Sequence, residues 1–204
     1  MQLFVVGEII GLTGINSAGA HCNWTLVAPT KYVHVAGETS GASQSDMPGP
    51  GETMYVFQHP VDASYETEAD DLTTVGAPHI EIEVRTRDSD GRSDMGGYAV
   101  VHLPMMPGVH EISCCVWKPR GSMGDRFAAS FVGGAPQLKD TALRYGVEEE
   151  GTGEIGTRLS RSKGSQRMAT APGGEVHLRL SVCFKRGMSG VARSLGADDP
   201  PDED

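Results

Sequence analysis

Residues His79–Arg87, HIEIEVRTR, alternate apolar and charged side chains almost without a break. Ile80, Ile82 and Val84 share one parity, and Glu81, Glu83 and Arg85 share the other. A period of two places the first set on one face of an extended strand and the second on the opposite face. A helix would scatter both sets around its axis. Residues 174–186, GEVHLRLSVCFKR, repeat the pattern with Val176, Leu178, Leu180 and Val182. Half-buried strands need neighbours on both edges and a second apolar layer, so these segments commit the chain to a layered β architecture.

The remaining segments agree. MQLFVVGEII, AHCNWTLVA, KYVHVAG, TMYVFQHPVDASYET, GYAVVHLP and GVHEISCCVWKP all have strand character. They are separated by stretches rich in breakers, such as GLTGINSAG and ASQSDMPGPGE. Pro60 within one of these runs marks a bulge or an edge position, because proline cannot donate to a ladder. The chain's 27 glycines and 12 prolines fit many turns. The sequence therefore predicts an all-β, antiparallel β-sandwich with long loops. One short helix is expected in SMGDRFAASFVGG, N-capped by serine and ended by Gly133 and Gly134. Residues 147–165 lack apolar periodicity and read as a flexible insertion, and residues 189–204 as an acidic disordered tail.

The formal net charge of −10 opposes the basic surface that phosphate binding requires, so no nucleic acid is expected as a partner, and a basic patch is left open only locally. Half of that excess comes from Asp198, Asp199, Asp202, Glu203 and Asp204 in the tail. The opening residues carry no cationic segment followed by an apolar one, and no apolar run reaches membrane-spanning length. Cys22, Cys114, Cys115 and Cys183 show no C-x-x-C spacing and are expected to be reduced thiols.

No catalytic motif emerges. The seven histidines fall on separate expected strands and loops, and neither G-x-S-x-G nor H-E-x-x-H occurs. FVGGAPQL lacks the G-K-[ST] of a phosphate loop. Cys114 and Cys115, adjacent in a strand, must point to opposite faces and cannot chelate together. The chain is expected not to be an enzyme and to need no cofactor. A small hydrolase using Cys114 or Cys115 would require a thiol of lowered pKa.

The acidic run RTRDSDGRSDMGG, residues 85–97, offers a different chemistry. Counted from Asp88, it fails the EF-hand spacing, with glycine at the fourth position and alanine at the twelfth. A strand-loop-strand calcium site built on Asp88, Asp90 and Asp94 stays open, and so does a plain turn in which Gly91 supplies a positive φ.

HPVDASYET, GYAVVHLP-x-x-PG-x-H, W-x-P-x-GS, FVGG-x-PQL and GGEVHLRL, in this order, resemble the B9 domain family of ciliary transition-zone proteins. The resemblance runs over about residues 3–186 and implies a C2-like (B9) domain at residues 1–188. It implies a scaffold of the Meckel/tectonic complex at the ciliary base, supporting cilium assembly and the ciliary diffusion barrier. The implied partners are the other small B9 protein, the Meckel syndrome type 1 B9 protein and further transition-zone proteins. The implied locations are cytoplasm and cytoskeleton, at the transition zone, basal body and axoneme.

Kinship with C2 domains makes Asp88, Asp90, Asp94 and Gly96 similar to one apical calcium loop. The other loop, GLTGINSAGAHCNW, has no aspartate, and Asn16 carries its only side-chain amide oxygen before His21. Calcium takes six to eight oxygens, so these three aspartates make an incomplete cage. The alternative function is a peripheral membrane module, with or without calcium assistance in C2 fashion, that meets anionic lipid through Lys118, Arg120, Arg126, Lys185 and Arg186. Phe57, Trp117 and Phe131 are candidates for protein contacts or for the core.

Overall fold

A computed structural model of the chain describes residues 1–67, 76–119 and 170–185. It contains nine strands: β1 (Gln2–Thr13), β2 (Gly19–Val27), β3 (Tyr32–Gly37), β4 (Ser40–Ala42), β5 (Met54–Thr67), β6 (His79–Arg87), β7 (Ser93–His102), β8 (Gly108–Pro119) and β9 (Thr170–Lys185). No helix occurs among the described residues, and the expected short helix lies outside them.

All pairings are antiparallel, in the order β3-β5-β1-β9-β8-β7-β6-β2-β4. The ladders that join β5, β1, β9 and β8, and β7, β6 and β2, are long, whereas among the described residues β7 and β8 share the single pair Tyr98 and Trp117. That seam divides the sheet into two leaves, β3-β5-β1-β9-β8 and β7-β6-β2-β4, which fold over one another around one core. Leu3, Val5, Leu178 and Leu180 enter the core from the first leaf, and Trp24, Ile80, Ile82 and Val84 from the second. The rings of Trp24 on β2 and His59 on β5 meet across it at 6.0 Å. The result is the expected antiparallel sandwich.

Glycines allow the backbones to close at the seam. Gly97 has φ of 148°, and a Cβ there would lie 2.6 Å from Val116 Cγ1 and 2.7 Å from the Trp117 carbonyl oxygen. A Cβ on Gly173 of β9 would lie 2.8 Å from the Gly96 carbonyl oxygen. No other residue fits where three strands converge this closely.

Sequence alternation holds for β9, whose Val176, Leu178, Leu180 and Val182 are all buried. In β6 it holds for one face only. Ile80, Ile82 and Val84 are in the core, but Glu81 at the opposite parity is only 4 % exposed. Pro60 follows a bulge in which Phe57 and Gln58 of β5 oppose Ile10 of β1, with Gln58 in a left-handed conformation at φ 44°. Asp62 turns its carbonyl to Glu38 N–H on the β3 side, so Pro60, two residues earlier, has its nitrogen on that side. There β3 has already ended, so the missing N–H costs no ladder bond.

Two boundaries differ from the sequence reading. β1 continues into GLT of the expected loop, and the breaker-rich stretch begins at a short strand, β4, whose neighbourhood closes by the Ala20 to Asp46 bridge. Tertiary pairing overrides weak local strand propensity in both places.

Candidate functional site

The acidic run forms the β6–β7 turn. Asp88 Oδ1 accepts N–H groups from Asp90 at 3.0 Å and Arg92 at 2.7 Å, while Asp88 N–H donates to the Arg92 carbonyl. Gly91 supplies positive φ, 81°. Asp94 Oδ1 accepts from Met95 N–H at 2.9 Å. The β1–β2 loop lies at the same end, since the Ser17 hydroxyl donates to the Arg87 carbonyl at 2.6 Å. Tyr55 locks that loop by donating to Ser17 O at 2.6 Å and accepting from Ser17 N–H at 3.0 Å. The two apical loops thus meet through hydroxyl and backbone groups. Among the described residues, no three His, Cys, Asp or Glu side chains converge in a way that could hold a metal.

The cysteines and histidines occupy several settings. All four cysteines are free. Burial pushes the Cys22 thiol up to about 11, and burial also raises Cys114, the opposite of what a nucleophile needs. Cys114 is half-buried and Cys115 exposed, on opposite faces as the strand requires.

His177 on β9 was not foreseen to have a nucleophile beside it. Its Nδ1 lies 2.8 Å from Ser113 Oγ on β8, and its Nε2 lies 2.9 Å from Thr13 Oγ1 on β1. Both ring nitrogens face hydroxyls, with no carboxylate behind to orient a base. The surrounding strand amides are engaged in ladders on both sides, so no pair of N–H groups is free to stabilise an oxyanion. The trio is a cross-strand clip on a flat sheet.

The most distinctive surface is the outer face of β5-β1-β9-β8. Two registers cross all four strands side by side: Asp62, Val6, Ser181 and Val109, then Pro60, Glu8, Arg179 and Glu111. Arg179 reaches Glu8 at 3.4 Å and Glu111 at 3.2 Å. A shallow trough of about 390 Å³ lies between the registers, walled by Val6, Pro60 and Val109, with Gln58 at its rim. Gly7 lies at its floor, where a Cβ would overlap the Arg179 carbonyl oxygen. Val6 is 51 % exposed, Val109 69 % and nearby Phe4 36 %.

Sequence reasoning pointed elsewhere for contacts. Phe57 is 2 % exposed and belongs to the core, because it sits at the inward parity of β5. Trp117 is half-buried against Tyr98, with ring centroids 5.5 Å apart. Phe131 lies outside the described residues, as do Arg120, Arg126 and Arg186. Lys118 and Lys185 occupy opposite ends of β9's ladder, beside Ala171 and Gln2, and so do not join in one patch. The signal for the outer face was present in QLFVVGE. Apolar residues at both parities, Leu3 and Val5 with Phe4 and Val6, cannot all face one core.

Fold and surface together define an antiparallel β-sandwich with an exposed apolar face, and no helix among the described residues is long and apolar enough to cross a membrane. The family described as "Ciliary basal body-associated, B9 protein" matches residues 3–183, and the chain belongs to it. Human B9 domain-containing protein 2 is 30 % identical over 184 residues, 90 % of this chain and 94 % of that protein. The Danio rerio protein of that name is 35 % identical over 71 % of this chain and 79 % of its own length. Xenopus laevis B9 domain-containing protein 1 is 30 % identical over 71 % of this chain and 69 % of its own. Among solved structures, a C2 domain of plant Extended Synaptotagmin 1 is similar at TM-score 0.41 and 8 % identity, covering 90 % of this chain and 96 % of that one.

Proposed function

We propose that this chain is a non-enzymatic scaffold subunit of a Meckel/tectonic-like complex at the ciliary transition zone. There it would bind the other small B9 protein and the Meckel syndrome type 1 B9 protein, and so support cilium assembly and the diffusion barrier. The observation that carries this reading is a B9-family sandwich that leaves Phe4, Val6 and Val109 exposed in the middle of a sheet. A monomeric protein rarely keeps a clustered apolar surface in water without a use for it.

In this role the Asp88, Asp90 and Asp94 loop acts as a turn whose first carboxylate caps backbone amides, without calcium. The membrane-binding alternative draws no support from Lys118 and Lys185, which lie beside opposite ends of β9, next to Ala171 and Gln2. The test is co-expression with the two paralogues followed by size-exclusion chromatography. A joint complex is expected, and a chain that elutes alone beside both of them would refute the scaffold role.

A further inference from the structure

We infer that the outer face of β5-β1-β9-β8 is the docking surface for a basic partner protein, which seats an apolar side chain in the trough between Val6, Pro60 and Val109. This rests on the scaffold reading above and specifies the chemistry of its partner.

The face has the anatomy of a protein interface, an apolar centre within a charged rim. Its centre is Phe4, Val6, Pro60 and Val109. Its rim carries the carboxylates Glu8, Asp62, Glu66 and Glu111 against the cations Arg179 and Lys185. Arg179 is already shared between Glu8 and Glu111. Asp62 and Glu66 form no ion pair among the described residues.

The sign of the rim selects the occupant. A partner with lysine or arginine around its apolar anchor gains complementary contacts and a faster encounter. An anionic bilayer is repelled by the same carboxylates. A second copy of this chain would bring an identical acidic rim and a net charge of −10, so self-docking here is disfavoured as well. The trough is suited to one inserted side chain, because the backbone at Gly7 forms its floor and β1 and β9, both interior strands, hold that floor rigid.

The experiment titrates the full chain against each of the two paralogous B9 proteins by calorimetry, at low and high sodium chloride. Val6→Glu and Val109→Glu are expected to weaken binding at least about tenfold, as a central contact does. Thr25→Glu, exposed on β2 of the other leaf, should leave it unchanged. Reversing Asp62 and Glu66 to lysine should slow association, and the wild-type affinity should fall as salt rises.

Melting curves monitor folding, and Val6→Thr serves as the milder variant if Val6→Glu melts early. Wild-type affinity for a paralogue that survives Val6→Glu overturns the docking face while leaving the scaffold reading intact. Binding to neither paralogue removes the scaffold reading, and this inference falls with it. Salt-independent binding overturns the basic partner. Val6-dependent flotation with phosphatidylserine vesicles, or a Val6-dependent dimer in sedimentation, overturns the choice of occupant.

Discussion

The two leaves of the sandwich treat their outer faces differently. On the first, the apolar side chains of Val6 and Val109 stand mostly in solvent. On the second, Tyr98 at an outward position is 1 % exposed, and Glu81, outward on β6 opposite Val100, is likewise buried. Outward parity is therefore not the same as exposure. Apolar residues at outward positions of β1 are left unused by the fold, whereas polar ones at outward positions of β6 are part of it. The first leaf is free to carry an interaction, and the second is engaged in stability.

That contrast is open to direct attack. The largest effect is expected for Tyr98→Ala, which should cost about 3–4 kcal/mol in urea unfolding, as a truncated buried aromatic does. Val6→Ala at the matching outward position of the first leaf should change stability by less than about 0.5 kcal/mol. Equal losses would dissolve the distinction. Gly97→Ala, which forces a Cβ against Val116 and Trp117 where the leaves meet, should cost about 2 kcal/mol.

Asp88→Ala should cost about 1 kcal/mol by leaving two turn amides without their acceptor, and a calcium titration of the wild type should show no saturable heat at micromolar ion. A saturable site lost in Asp88→Ala would restore the metal reading.

The smallest effect concerns pH. His79, outward on the second leaf and 5.6 Å from the His102 ring, is held below its ordinary value of 6.5 by burial and then by His102. The unfolded chain therefore takes up that proton first, and stability should fall as pH drops below 6.5 toward the lower folded value. His79→Gln should flatten this decline in urea midpoints measured from pH 7 to pH 5. An unchanged slope would show that this site is open to water.

Much of the fold was legible in the sequence wherever a strand is buried on one side only. Ile80, Ile82 and Val84, and the four apolar residues from Val176 to Val182, announced their faces by period alone. The order of strands was not legible, because β1 pairs with β9 from the far end of the chain and nothing in either sequence names the other. β4 was hidden by its composition of serine, glycine and alanine, which pairs only because β2 offers it an edge. The burial of Glu81 was invisible for the same kind of reason, since period reports parity and cannot report what lies over a face. The candidate surface was half visible. QLFVVGE showed apolar residues at both parities, but only the register with β5, β9 and β8 brings Val6, Pro60 and Val109 around one trough and rims it with carboxylates.

The single β7–β8 pair among the described residues has a dynamic consequence. β1, β5 and β9 are laced together along nearly their whole length, while among the described residues the second leaf is tied to the first through Tyr98 and Trp117, the Ser17 to Arg87 contact at the apical end and the shared interior. Local opening follows the line of fewest backbone bonds. Amide hydrogens flanking that junction should exchange with deuterium well before those in the middle of β1 and β9, so the protein would loosen like a book along its spine, with the recognition page staying flat.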